Sequence, residues 1–278
     1  MEGRSFRMGP DDVPRVEAFL DWDPIANLAL RRRLATAELD TRGPCGLYGY
    51  EQHGRLLGVC YYGSTIYPVG AHPQALDAFA EYGGPLCRAG SMVGRSDAVL
   101  GLHDRLARRW GWSWQRPRNI RYSQPLMVWE GPSQVGPEPS LRQLTEAEYD
   151  SYLAASVHMY TEEIGVSPLE GGSGYAHAVR ERLRAGHAFG VVRQGQVLFK
   201  ADIGITFDGH AQIQGVWLTP GLRGRGLAAP AMTALVNQVR SSYPRISLYV
   251  NDFNTPAIRT YLRTGFVQIG AMSTVHYC

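Results

Sequence analysis

The sequence predicts an α/β (α+β) protein built in two parts, and three observations carry that prediction. The chain has 278 residues, 44% hydrophobic and 10% aromatic, which is ample for a buried core and long enough for two domains. Strand-like and helical patterns alternate along its whole length, and both halves run through the same order: strand, two helices, hairpin, further strand, helix, strand. Between them lies Glu130-Gly-Pro-Ser-Gln-Val-Gly-Pro-Glu-Pro139, with three prolines, two glycines and no apolar periodicity. The expected division is residues 1–130, a linker at 131–139, and residues 140–278.

In the first half, residues 4–8 form a short strand. Gly9-Pro-Asp-Asp-Val-Pro14 starts a helix capped by Asp11 or Asp12, with Val16, Phe19 and Leu20 on its apolar face. A second helical pattern covers Ile25 to Leu39. Gly46–Gln52 and Leu56–Tyr62 flank His53-Gly54 and read as a hairpin. A helix follows over Pro73–Tyr82. Leu86–Val93 is a strand, and Ser96 caps a helix reaching about Trp110. Trp110, Trp112 and Trp114 alternate like one face of a strand end. Arg118–Trp129 is a strand interrupted at Pro125.

The second half opens on Leu141–Leu144 as a strand and on Thr145-Glu-Ala-Glu148, a capping box for a helix to about Tyr160. After a break at 165–174 comes a helix from Tyr175 to Ala185, then a hairpin of Gly190–Arg193 with Gln196–Phe207. Ala211–Leu218 is a strand, and a helix to about Arg240 carries Leu227, Ala231, Ala234, Leu235 and Val239 on one face. Arg245–Val250, a short helix over Pro256–Arg263, and strands at Gly265–Ala271 and Met272–Tyr277 complete the order.

Between the strand ending at Leu218 and the helix after it, glycines fall at 221, 224 and 226. The first amides of a helix have no internal partner and carry the positive end of the macrodipole. Glycines keep side chains off that backbone, so the turn suits a phosphate or diphosphate, with Arg223 and Arg225 adding charge. Two motifs fit the letters. Gly224-Arg-Gly226-Leu-Ala-Ala229 satisfies the dinucleotide pattern G-x-G-x-x-A, and Asp252 lies at a distance suited to a ribose. That fold, however, carries its fingerprint at the first strand–helix turn, and only about 50 residues remain here, against about 30 per βαβ unit.

The other motif is Arg223-x-x-Gly226-x-Ala228, followed downstream by Asn254-x-x-Ala257-x-x-x-Tyr261-x-x-x-Gly265-Phe266. Together they resemble the acyl-CoA loop and the C-terminal signature of the GNAT N-acetyltransferase superfamily, over roughly residues 140–278. The resemblance implies two GNAT-like domains, each a mixed, mostly antiparallel sheet flanked by helices, the first a degenerate copy without either motif. It implies acetyl-CoA as co-substrate, transfer of its acetyl group to a small-molecule or peptide amine, and direct attack in a ternary complex. The diphosphate is implied to sit on Arg223, Gly224, Arg225, Gly226, Leu227, Ala228 and Ala229. Val216, Trp217 and Leu218 are implied to pair with the pantetheine arm, an amide there polarising the thioester. Asn254 and Ala257 are implied beside the same arm, and Tyr261 as the acid that protonates the departing thiolate.

Local physics gives the signature helix its own account: Thr255 caps it, Pro256 opens it, and Gly265 ends it. Related enzymes often place a glutamate base on the strand before the loop. Here that strand carries Gln212 and Gln214, so the candidates are Glu162 and Glu163, with Asp202 and His276 as further options. A non-catalytic acyl-CoA-binding module is the alternative.

Net charge of +3, with no basic run beyond Arg31-Arg32-Arg33, argues against nucleic acid. Four cysteines without a C-x-x-C pair and scattered histidines (His72, His103, His177, His187) argue against a metal site. No leader-like or membrane-spanning run is present, which gives the expectation of a cytoplasmic protein.

Overall fold

In the computed structural model, which describes residues 3–36 and 45–277, contacts divide the chain into two units. Unit 1 comprises Met1–Leu126 with Ile269–Cys278, and unit 2 is Met127–Gln268. The elements in chain order are β1 (Arg4–Met8), α1 (Val13–Leu20), α2 (Leu28–Thr36), β2 (Gly46–Gln52), β3 (Arg55–Tyr62), β4 (Thr65–Val69), α3 (Pro73–Gly83), β5 (Ser91–Arg95), α4 (Ser96–Trp110), α5 (Trp112–Gln115) and β6 (Asn119–Trp129). They continue as β7 (Leu141–Gln143), α6 (Tyr149–Ile164), α7 (Gly174–Arg184), β8 (Ala188–Arg193), β9 (Gln196–Phe207), β10 (His210–Leu218), α8 (Ala228–Val239), β11 (Arg245–Tyr249), α9 (Thr255–Arg263) and β12 (Phe266–His276).

In unit 1 the strand order is β1-β2-β3-β4-β5-β12-β6. The β1–β2, β2–β3, β3–β4 and β5–β12 pairs are antiparallel, and β4 runs parallel to β5 over Thr65–Ile66 and Ser91–Met92. His53 and Gly54 turn the β2–β3 hairpin with positive φ at both residues, as a two-residue turn matched to strand twist requires. The continuous apolar run in β3 has a simple cause: both faces are covered. Cys60 packs with Tyr48, Phe79 and Leu102, whereas Val59 and Tyr61 pack with Met8, Val16 and Leu20.

Several elements differ from the sequence expectation. β4 has no counterpart in the sequence expectation; its Pro68 lies beyond the two residues paired to β5, where that ladder has ended. The second helix starts at Leu28, and the part of its expected span from residue 37 to Leu39 lies outside the described residues. Ser96 is the first residue of α4, not its cap, which is Arg95. The three tryptophans lie on α4 and α5, broken at Gly111 with φ +69°: Trp114 is buried and donates to Gly84 O, whereas Trp112 is exposed. β6 continues through Pro125, whose fixed φ suits extended backbone. The two closing strands are one, β12, because nothing between Ala271 and Met272 turns the chain.

Unit 2 carries antiparallel β7, β8, β9 and β10, with β11 parallel to β10. One face packs Ile213, Ile246 and Leu248 against Leu235 and Val236 of α8 and Phe266. The other packs Val197 and Trp217 against Tyr152 of α6 and Val179 and Leu183 of α7. Each fully buried aliphatic side chain contributes about 1.5–3 kcal/mol. α8 is buried on nearly every side, including Ala229, Ala231, Met232 and Ala234, so its small residues permit close packing. Leu227, expected on its apolar face, instead precedes the helix and is exposed.

The capping box at Thr145 forms as the sequence specifies. Thr145 Oγ1 accepts from Ala147 N, and Glu148 accepts from the Thr145 amide at 2.8 Å. Arg142 and then the Thr145 contacts hold the Glu148 carboxyl down to about 2. A carboxylate more acidic when folded stabilises above its unfolded pKa of about 4.3, and that contribution disappears as pH falls through about 2. Glu148→Gln is therefore expected to cost about 1 kcal/mol at pH 7. The difference from wild type should shrink between pH 5 and pH 2 in parallel urea melts.

Candidate active site

The site of unit 2 is built where β10 stops pairing. β10 and β11 are in register only over His210–Gln212 and Arg245–Ser247, so the rest of β10 has no partner from β11. On its other edge β10 pairs with β9, but the register slips between Gln214↔Asp202 and Trp217↔Lys200, a β-bulge at Gly215-Val216. Gly215 has φ +60°. A Cβ there would stand 2.5 Å from Asp202 Oδ2 and 3.0 Å from Lys200 Nζ, so only glycine fits.

Behind the bulge lies a buried ionic cluster. Lys200 Nζ donates to Asp202 Oδ2 at 2.8 Å and to Gly215 O at 2.9 Å, and both side chains are almost wholly excluded from solvent. Tyr152 donates to Asp202 Oδ1 at 2.8 Å, and Arg182 stands 3.5 Å from Oδ2. Burial pulls the Lys200 ammonium below its usual range, opposed by Asp202. Burial likewise pushes the Tyr152 hydroxyl up, with the Asp202 charge adding to it. Asp202 was only a secondary option in the sequence. Lys200 carried one signal, that it is the chain's single lysine.

After Leu218 a 3-10 turn (Pro220–Leu222) leads to the glycine-rich segment. Gly224 and Gly226 both have φ +75°, with open space where a Cβ would stand. They are glycines for backbone conformation rather than packing, and residues 223–227 are exposed. Leu227 provides no side-chain cap to α8, so the Ala228 and Ala229 end of the helix is uncapped by its N-cap side chain. This bare, left-handed backbone before a 12-residue helix is a cradle of the kind that holds a diphosphate. Arg225 is exposed beside it. Arg223 is turned instead toward α6: its Nε donates to Leu218 O at 2.9 Å and a terminal nitrogen to Glu162 Oε2 at 2.7 Å.

Val216 and Leu218 pack toward α8, and Trp217 toward α6 and α7, where it stacks on His158. The α9 cap is Asn254, whose Oδ1 accepts from Ala257 N at 3.2 Å; Thr255 is the first helical residue rather than the cap. Asn254 Oδ1 is thus already used within the chain. Ala257 is partly buried against the main core. Gly265, at φ +96°, ends the helix where a Cβ would meet Gly131 O.

Tyr261 is buried, edge-on to Phe266, and among the described residues its hydroxyl has no hydrogen-bond partner. Burial first, and the Glu163 charge second, push that hydroxyl above its ordinary value, so it stays protonated. Near the Glu163 end of α6, Tyr160 packs edge-on against Tyr175 at 5.4 Å between ring centroids. Glu162 and Glu163 are exposed in the last turn of that helix. His276 belongs to unit 1. No cluster of His, Cys, Asp or Glu suited to a metal occurs among the described residues, and no helix among them is long and apolar enough to cross a membrane.

Comparisons with known proteins bear on the fold. Residues 172–266 match the model of the acetyltransferase (GNAT) family, and residues 45–152 match a domain of unknown function, DUF4081. No curated protein matches the chain. Among solved structures, a GNAT-family acetyltransferase from Colwellia psychrerythraea is 10% identical with a TM-score of 0.60, covering 100% of both chains. A tandem GNAT protein from the clavulanic acid biosynthesis pathway is 13% identical with a TM-score of 0.55, covering 99% of this chain and 98% of its own. A GCN5-related N-acetyltransferase from Kribbella flavida is 16% identical with a TM-score of 0.54, covering 91% and 94%. At these identities the likeness is one of architecture: the chain shares the fold of these acetyltransferases, and residues 172–266 match the GNAT family model.

Proposed function

We propose that unit 2 is an N-acetyltransferase that moves an acetyl group from acetyl-CoA to a primary amine. Two observations support the reading: the bare left-handed glycine turn after a bulged strand, and a buried, protonated Tyr261 on the helix after β11, in the core cluster against which Val216 and Ala228 pack. The turn from Arg223 to Ala229 would hold the diphosphate, and the unpaired edge of β10 at Val216–Leu218 would pair with the pantetheine arm. The Val216 amide would receive the thioester oxygen. The amine nitrogen attacks the carbonyl carbon, the C–N bond forms and the C–S bond breaks. Tyr261 gives its proton to the sulfur, and Glu162 or Glu163 takes the proton released by the amine. Residues 1–130 would be a degenerate copy: the connection from β4 to α3 is short, and Pro73 at the helix start lacks an N–H. Residues 131–139 would be the linker and the protein cytoplasmic.

Calorimetric titration with acetyl-CoA is the test. Saturable binding is expected, and none at millimolar concentration rejects the reading. The alternative of a non-catalytic acyl-CoA-binding module is favoured by the absence of a carboxylate on β10 and by the Arg223–Glu162 pairing, which occupies one base candidate. Thiol release from acetyl-CoA across a panel of amines separates the two.

A further inference from the structure

Twenty-seven of the chain's twenty-eight lysines and arginines are arginines, and the single lysine, Lys200, has a fully buried side chain. A lysine is a compact point charge, whereas an arginine is a planar fork. The space behind the bulge is so close that Gly215 could not carry even a methyl group. Lys200 Nζ donates to Gly215 O, and that carbonyl shares its peptide group with the Val216 N–H. A positive donor on the carbonyl oxygen draws electron density through the amide and makes the N–H at the other end a stronger donor, the cooperative strengthening of linked hydrogen bonds in a low-dielectric site. In a trans peptide the N–H points opposite to the C=O. Since Gly215 O faces Lys200, the Val216 N–H is directed away from the cluster.

We propose that Lys200 is a positioning residue for acyl transfer, which both fixes the Gly215–Val216 bulge and polarises its peptide so that the Val216 amide draws charge from the thioester carbonyl. Asp202, itself held by Tyr152 and Arg182, keeps the ammonium in place at 2.8 Å. This inference rests on the acetyltransferase reading, because it needs a thioester at Val216.

The test is the infrared carbonyl stretch of [1-13C]acetyl-CoA bound to the full chain. A strengthened donor weakens the C=O bond, so the wild-type band is expected below that of free acetyl-CoA. K200M/D202N, which removes the buried Lys200–Asp202 pair together and leaves the partly exposed Arg182 as the remaining charge, should lose most of that displacement when measured at saturating acetyl-CoA. A wild-type band at the free position overturns the proposal without any variant. Equal bands in wild type and K200M/D202N overturn it while leaving the transferase reading intact. Failure of wild type to bind acetyl-CoA at all removes that reading, and this proposal with it.

Discussion

Gly226→Val is expected to raise the acetyl-CoA dissociation constant by at least about 30-fold. The residue sits at φ +75° with nothing within 4 Å of a Cβ, so the penalty is conformational. A β-branched side chain is a genuine outlier in the left-handed region, and holding such a residue there costs of order 1–3 kcal/mol. The loop can escape the strain only by rotating its amides out of the cradle. A loss of about 2 kcal/mol in binding corresponds to about 30-fold. Because residues 223–227 are exposed and outside the core, the melting midpoint should move little. Gly221→Ala is the control, since Gly221 does not have positive φ and its neighbourhood is equally open. Calorimetry that finds both variants binding like wild type would show that the turn does not hold the cofactor.

Tyr261→Phe is expected to slow acetyl transfer about 10²- to 10⁴-fold, the usual contribution of a positioned acid. Acetyl-CoA affinity should stay nearly unchanged. Stability should also hold, because the hydroxyl has no protein partner to lose and the ring keeps its contact with Phe266. A general acid must carry its proton. Burial raises this hydroxyl above the ordinary tyrosine value of about 10, so the wild-type rate should show no alkaline decline from Tyr261 below that pH. Stopped-flow detection of thiol release, with calorimetry on the same variant, tests both halves. A drop in affinity with turnover intact would assign Tyr261 to packing.

The order of elements was legible in the sequence where local chemistry is self-contained. The capping box at Thr145, the hairpin at His53-Gly54 and the glycine stop at Gly265 each follow from a few adjacent residues. Errors arose where a partner distant in sequence decided the outcome. β4 is defined only by its pairing with β3 and β5. The cap of α9 differs for a local reason, because Asn254 and not Thr255 accepts from Ala257 N. The alternation of Trp110, Trp112 and Trp114 resembled a strand because the break at Gly111 restarts the helical phase.

The sequence by itself determined the strand–turn–helix at Ile213–Val239, its glycines, and the spacing from Asn254 to Phe266, since these depend on backbone preference and short-range periodicity. Tertiary structure alone decided that β10 bulges at Gly215, that Lys200 and Asp202 close behind it, and that Arg223 is held by Glu162. The Lys200–Gly215 and Arg223–Glu162 contacts join residues 15 and 61 positions apart, and no local rule of propensity reads across such gaps: the bulge exists because β10 carries one more residue than β9 between two paired positions, which is a property of the pair and of neither strand alone.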